Sequence, residues 1–373
     1  MTTKKKALVL GGGGARGAYQ LGMLQVLIEQ HDFHIIRGVS AGAINAVVLA
    51  QAETGIDSHA RLREQVRRLE TLWLEDIRGS ESVFRKRLFG RLAALFWADS
   101  LYTVEPAHAL MRKYVDVERL RNSGRDFEVG AVSLVSGRYA SYGPDEPRFM
   151  DKLMASMSLP PVFPPVDVPI ERDMLVDGGM RTITPLASAF AAGAEEIYVL
   201  LTSEVRQVNH RIPHSSIEEM DYSQWDGRAG RVVMNDVLGR SIGLLMDEIY
   251  LEDIKTALQW NNMALGMKEL CAALDAVPGA RKAIDRTMEK YRALKRQYVK
   301  VHVLAPRERF DPTQPKGSQD DAMLFHPHLI EAAVRHGREV ASDPDLWLWR
   351  PEDDLRQLRD GDPAPQVLQA VYA

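Results

Sequence analysis

The sequence predicts an α/β fold: a largely parallel sheet wrapped by helices, with a long helical insert. Two observations predict it. Short, mainly apolar runs alternate with segments patterned at helical spacing. The first two of these runs, ALVL at 7–10 and IIRGV at 35–39, each pass through a glycine-containing turn into a helix-patterned segment.

The first strand is expected over residues 5–10. A helix over 17–30 follows, with Ala18, Leu21, Leu24, Gln25 and Ile28 near helical spacing. A second strand, 35–39, leads into SAGAINAVVLAQAE, read as a second helix. Residues 60–114 read as mostly helical. Residues 127–134 and 138–142 look like a hairpin, and 174–176, 196–202 and 300–304 like further strands. A helical segment covers 228–298, and HLIEAAVRHGREV forms one more helix near the C-terminus. Residues 206–216 and 307–320 are polar and contain proline, so they read as loops. Three parts are expected: a catalytic core over 5–205, a helical segment over 206–306 returning to a late strand on that core, and a C-terminal extension over 307–373.

At 373 residues, 45% apolar and 26% charged, the chain can bury one large core or two. A net charge of −4 gives no basic footprint, which argues against nucleic acid as a main partner. The one cysteine, Cys271, excludes an intrachain disulfide and fits a reducing compartment. The basic start is followed by too short an apolar run for a secretory signal, and no run is long enough to span a bilayer. A cytoplasmic location is expected, with peripheral membrane contact and oligomerisation left open.

Gly12-Gly13-Gly14-Ala15-Arg16-Gly17 matches G-x-G-x-x-G between a strand and a helix. Bare backbone N–H groups at a helix N-terminus suit an anion. That anion could be a pyrophosphate or a tetrahedral oxyanion. A dinucleotide site also wants an acidic residue about 20 positions on, after the second strand. Asp32 has the spacing but precedes that strand. No Gly-Lys-Ser/Thr follows, so a P-loop is excluded.

Gly38-Val39-Ser40-Ala41-Gly42 is G-x-S-x-G, in the strand–turn–helix setting a nucleophile elbow needs. Ser40 is the candidate nucleophile, and Gly38 and Gly42 leave room for the tight turn. An ordinary α/β-hydrolase would place its elbow after several strands and add a later acid and histidine. Here the elbow belongs to the second strand, and none of His302, His326, His328 and His336 sits in a telling motif. No metal-ligand motif is present. A third motif, Asp177-Gly178-Gly179, puts a carboxylate at a strand end.

Together these motifs resemble the patatin-like phospholipase family: GGGGARG at 11–17, GVSAG at 38–42 and DGG at 177–179, in family order. The segment ASMSLP at 155–160, followed by VFPP at 162–165, is similar too. The resemblance covers residues 5–205. It implies a three-layer α/β/α fold and a Ser–Asp dyad without a catalytic histidine. Ser40 would be the nucleophile and Asp177 the general base. The loop Gly12, Gly13, Gly14, Ala15, Arg16 and Gly17 would form the oxyanion hole, chiefly through Gly13 and Gly14, with Arg16 fixing the loop or, as the lesser alternative, attracting an anionic head group. No cofactor is implied. The expected substrates are acyl esters of phospholipids or lysophospholipids, with neutral esters as the alternative and a dinucleotide-binding protein as a distant one.

Residues 83–97, VFRKRLFGRLAALFW, mix basic and large apolar side chains. They read either as an interfacial helix or lid over an anionic bilayer, or as a packed helix with snorkelling arginines.

Overall fold

The computed structural model describes residues 5–87, 99–203, 234–290, 297–308, 310 and 320–351. Its strands are β1 (Lys6–Leu10), β2 (Ile35–Gly38), β3 (Arg85–Lys86), β4 (Tyr102–Thr103), β5 (Asp126–Ser133), β6 (Tyr139–Tyr142), β7 (Val166–Val168), β8 (Asp173–Asp177), β9 (Glu196–Leu200) and β10 (Lys300–Leu304). Its helices are α1 (Ala18–Gln30), α2 (Ala41–Leu49), α3 (Ser58–Glu70), α4 (Glu105–Tyr114), α5 (Val117–Asn122), α6 (Phe149–Ala155), α7 (Leu186–Ala191), α8 (Met234–Leu274), α9 (Ala280–Lys290) and α10 (Pro327–Ser342).

The main sheet runs β10-β9-β1-β2-β5-β8-β7, with β6 also on β5. From β10 to β5 the pairing is parallel. β1 is central and covered on both faces, which is why its sequence is a nearly unbroken apolar run. Successive side chains of a strand point to opposite faces. Leu8 and Leu10 therefore join the layer of α1, α2, α3 and α10, while Ala7 and Val9 join that of α7 and α8. The result is a mixed, mostly parallel sheet between two helical layers.

The register of β5 positions the site. β2 pairs with Asp126 to Val129, β6 with Val129 to Val132, and β8 with Ala131 to Ser133. A strand has two edges, so β6 takes one edge while β2 and β8 share the other, end to end. β8 is antiparallel to β5. The C-terminal ends of β2 and β8 therefore meet, and these are the ends that carry Ser40 and Asp177.

The segment expected as a C-terminal extension is built into the core over its described part. α10 buries Leu329, Ile330, Ala333, Val334, Gly337, Val340 and Ala341, an amphipathic stripe, against α1. The two helices approach closely enough that a Cβ on Gly337 would lie 2.1 Å from the Tyr19 carbonyl oxygen, and one on Gly22 2.0 Å from that of Val334.

Two local expectations are corrected. Residues 60–114 are mostly helical over their described part, as expected, but β3 and β4 form a ribbon inside the segment. Phe84 turns inward against Tyr102, Phe163 and Phe325, while Arg85 and Lys86 face solvent on the ribbon. The start of the expected 83–97 helix is thus extended chain, and residues 88–97 lie outside the described residues. The strand β7 was not expected, because prolines flank it on both sides. The expected loop at 206–216 and most of that at 307–320 also lie outside the described residues. No helix among the described residues is long and apolar enough to cross a membrane.

Candidate active site

Ser40 sits between β2 and α2 with φ 56° and ψ −128°. A non-glycine residue held there is strained by roughly 1–3 kcal/mol, and such strain persists only where the surroundings impose it. The surroundings here are crowded. A Cβ on Gly42 would lie 2.1 Å from the Leu10 carbonyl oxygen, and one on Gly38 would lie 2.6 Å from that of Gly42. The two flanking glycines are what let the elbow lie against β1.

Asp177 ends β8 and is 1% exposed. Its Oδ1 accepts the Gly179 N–H at 2.7 Å. Burial pushes its carboxyl up from 3.8 to about 7, against the pull of the Gly179 N–H and of the nearby Ser40 hydroxyl. A carboxyl poised there can take and return a proton near neutral pH.

The turn after α6 aligns the pair. The Ser156 carbonyl accepts the Ser40 N–H at 3.0 Å, and the Ser158 carbonyl accepts the Asp177 N–H at 3.0 Å. The ASMSLP segment therefore grips both members of the pair by their backbones. Its likeness to the family pattern was legible in the sequence, but its use as a clamp was not.

The glycine loop is pinned from several sides. Gly11 N–H donates to the Leu200 carbonyl at 3.1 Å, Gly12 N–H to that of Ile183 at 3.3 Å, and Arg16 N–H to that of Gly13 at 3.2 Å. The Thr202 hydroxyl donates to the Gly12 carbonyl. These bonds narrow the six-residue set expected from the sequence. Gly12 and Arg16 have their N–H groups engaged, and a Cβ on Gly12 would lie 3.0 Å from that of Ser40, so the loop passes beside the elbow. The Arg16 side chain donates to the Gly13 carbonyl at 3.3 Å, so it fixes the loop, as expected.

Beneath the loop runs a buried polar chain that the sequence analysis missed. Trp73 Nε1 donates to Asn45 Oδ1 at 2.8 Å, and Asn45 Nδ2 donates to Gln20 Oε1 at 2.9 Å. Gln20 Nε2 then donates to the carbonyls of Gly11 at 2.8 Å and Leu200 at 2.9 Å. Asn45 and Gln20 lie inside apolar helices, and that mismatch with their neighbours was the available signal. A second omission is Asp253 on α8. Its carboxylate accepts the N–H groups of Thr184, at 2.8 Å, and Ile183. It thereby anchors the stretch whose Ile183 carbonyl holds Gly12.

Asp32, the one acid spaced for a ribose, is held at 2.7 Å by the buried Arg125 guanidinium, which keeps its carboxyl below the usual range despite burial.

A serine raised on a strand-to-helix elbow, facing a buried carboxylate across a three-layer sheet, defines a class of α/β proteins. Residues 8–190, just under half of the chain, match the family model described as patatin-like phospholipase. Lysophospholipase NTE1 of Eremothecium gossypii is 26% identical over 221 residues, covering 58% of this chain and 12% of its own length. Lysophospholipase NTE1 of Saccharomyces cerevisiae is 25% identical over 211 residues, covering 55% and 11%. The chain thus spans about an eighth of the curated relatives it matches. The crystal structure of VipD from Legionella pneumophila aligns with a TM-score of 0.34 at 12% identity, covering 91% of this chain and 66% of that one.

Proposed function

We propose that the chain is a serine acyl-ester hydrolase with a Ser40–Asp177 dyad, acting on acyl esters of phospholipids or lysophospholipids. The observation that carries this reading is the strained elbow serine, Ser40, held by the same backbone turn as the buried carboxyl of Asp177, which is raised to about 7. The substrate class rests on the family match and on the relatives' name as lysophospholipases.

The chemistry needs Asp177 ionised. It accepts the Ser40 hydroxyl proton as Oγ attacks the ester carbonyl carbon. The carbonyl's electron pair moves onto its oxygen, which the N–H groups of Gly13 and Gly14 hold. A well-placed donor of this kind is worth about 3–4 kcal/mol. The intermediate collapses, and the leaving alcohol takes the proton back from Asp177. Water, deprotonated by Asp177, then attacks the acyl-enzyme; the fatty acid departs and Ser40 regains its proton.

The test is intact-mass labelling with a fluorophosphonate, followed by fatty-acid release from lysophosphatidylcholine. One adduct on the wild type, absent from Ser40→Ala, together with fatty-acid release, is expected. A folded wild type that takes no adduct overturns the dyad. Turnover of a short neutral ester without release from the lysolipid would move the substrate class to neutral esters.

A further inference from the structure

Beyond Asp177 the sheet ends in two hairpin tips that carry exposed apolar side chains. Asp177 is opposite Ala131 on β5. Leu134 and Val135 lie in the turn that follows the end of β5 at Ser133, two residues beyond Ala131. They are 49% and 71% exposed. The Leu134 N–H donates to the Met174 carbonyl at 2.8 Å, which joins this tip to the β7–β8 hairpin, where Ile170 is 80% exposed. Met180, exposed and three residues after Asp177, extends the patch back toward the catalytic pair.

The charges around these tips have one sign in excess. Arg138, Arg172 and Arg181 are exposed, and none is ion-paired among the described residues. The Arg181 guanidinium lies 3.8 Å from where a Cβ on Gly137 would be, so it sits beside the first tip. Of the nearby acids, Glu171 is paired with Lys152 at 2.8 Å, and Asp173 accepts the Ser133 hydroxyl at 2.7 Å. Asp167 and Asp173 are the nearby acids with no ion-pair partner among the described residues, two against three arginines. Large apolar side chains ringed by unpaired arginines are the chemistry of interfacial binding to an anionic bilayer. The segment 83–97 offers less of it over its described part: Phe84 is buried, and Arg87 is paired with Asp99 at 2.7 Å.

We propose that the tips formed by Leu134, Val135, Ile170 and Met174, with Arg138, Arg172 and Arg181, dock the protein on an anionic phospholipid bilayer. The proposal rests on the lipid acyl-hydrolase reading of Ser40. It supplies what that reading lacks, a surface that brings the site to the membrane in which two-chain phospholipid substrates reside.

The test is co-sedimentation with phosphatidylcholine vesicles, with and without phosphatidylglycerol. It compares the wild type, the pair Val135→Asp and Ile170→Asp, and the triple Arg138→Gln, Arg172→Gln and Arg181→Gln. Hydrolysis of a soluble short-chain ester is measured alongside. The wild type is expected to prefer the anionic vesicles. The arginine triple should lose about 100-fold in partitioning to them, and the aspartate pair at least about tenfold. Both should keep wild-type activity on the soluble ester. Variants that bind anionic vesicles like the wild type overturn the proposal. So does a wild-type dimer in sedimentation equilibrium that the aspartate pair splits, since a second copy then covers the tips. A wild type inert toward the soluble ester counts against the dyad, while the vesicle comparison still decides the docking surface.

Discussion

Replacing Asp177 by Asn should stabilise the protein at alkaline pH while abolishing turnover. Burial lifts this carboxyl from 3.8 to about 7 in the folded chain. Below pH 3.8 both folded and unfolded chains hold the proton, so the group contributes nothing to a pH dependence. Between 3.8 and about 7 the unfolded chain releases the proton and the folded chain keeps it. The unfolded state therefore gains with every step up in pH, by about 1.4 kcal/mol per unit. The cost to the folded state reaches about 4 kcal/mol near pH 7 and is constant above it. Asn has no proton to lose. Its side-chain oxygen can still accept the Gly179 N–H, and the pull of the Ser40 hydroxyl is already counted in the raised value. At pH 8 the variant should come out more stable by up to about 4 kcal/mol, and at pH 4 the difference should vanish. Urea unfolding of both proteins at pH 4, 6 and 8 reads this directly. A stability difference that stays flat between pH 4 and 8 would refute the argument, because it would mean that Asp177 titrates at its ordinary value in the fold; a wild type that gains on the Asn variant as pH rises would mean a lowered one.

The same carboxyl sets the acid limb of catalysis: kcat/KM on a soluble ester should fall tenfold per unit below about pH 7, and a limb near pH 4 would contradict the raised value. Gly337→Ala should cost about 1–3 kcal/mol in urea unfolding, since its new methyl meets the Tyr19 carbonyl between α1 and α10. Gly266→Ala, on α8 with nothing within 4 Å, should instead stabilise by about 0.5–1 kcal/mol. Asp253→Asn, which keeps one acceptor for the two N–H groups behind the glycine loop, should lower kcat severalfold at unchanged KM. An equal fall in stability-corrected activity for a helix-surface control such as Glu269→Gln would remove that positioning role.

The alternating elements were legible because a central parallel strand such as KALVL and an elbow such as GVSAG are written in contiguous residues. The pairing of β2 and β8 along one edge of β5 was not, since register is a long-range fact. The clamp at Ser156 and Ser158 works through backbone carbonyls, which every residue carries, so no side-chain pattern announces it. The prediction of helix near residue 83 failed because the basic–aromatic pattern there is compatible with either state. The need to bury Phe84 against Phe163 and Phe325 was settled by chain that lies far away in sequence.

The glycine loop near the start of the chain is held by residues made much later. Leu200 receives Gly11, Thr202 holds Gly12, and the carbonyl of Ala322 rests against Gly14. β1 itself lies between β2 and β9. A ribosome that has released the first 190 residues has already made Ser40 and Asp177, but none of these three supports. Assembly of the loop thus waits on the far part of the chain, and a half-made polypeptide emerging beside cellular membranes carries its nucleophile without the means to use it.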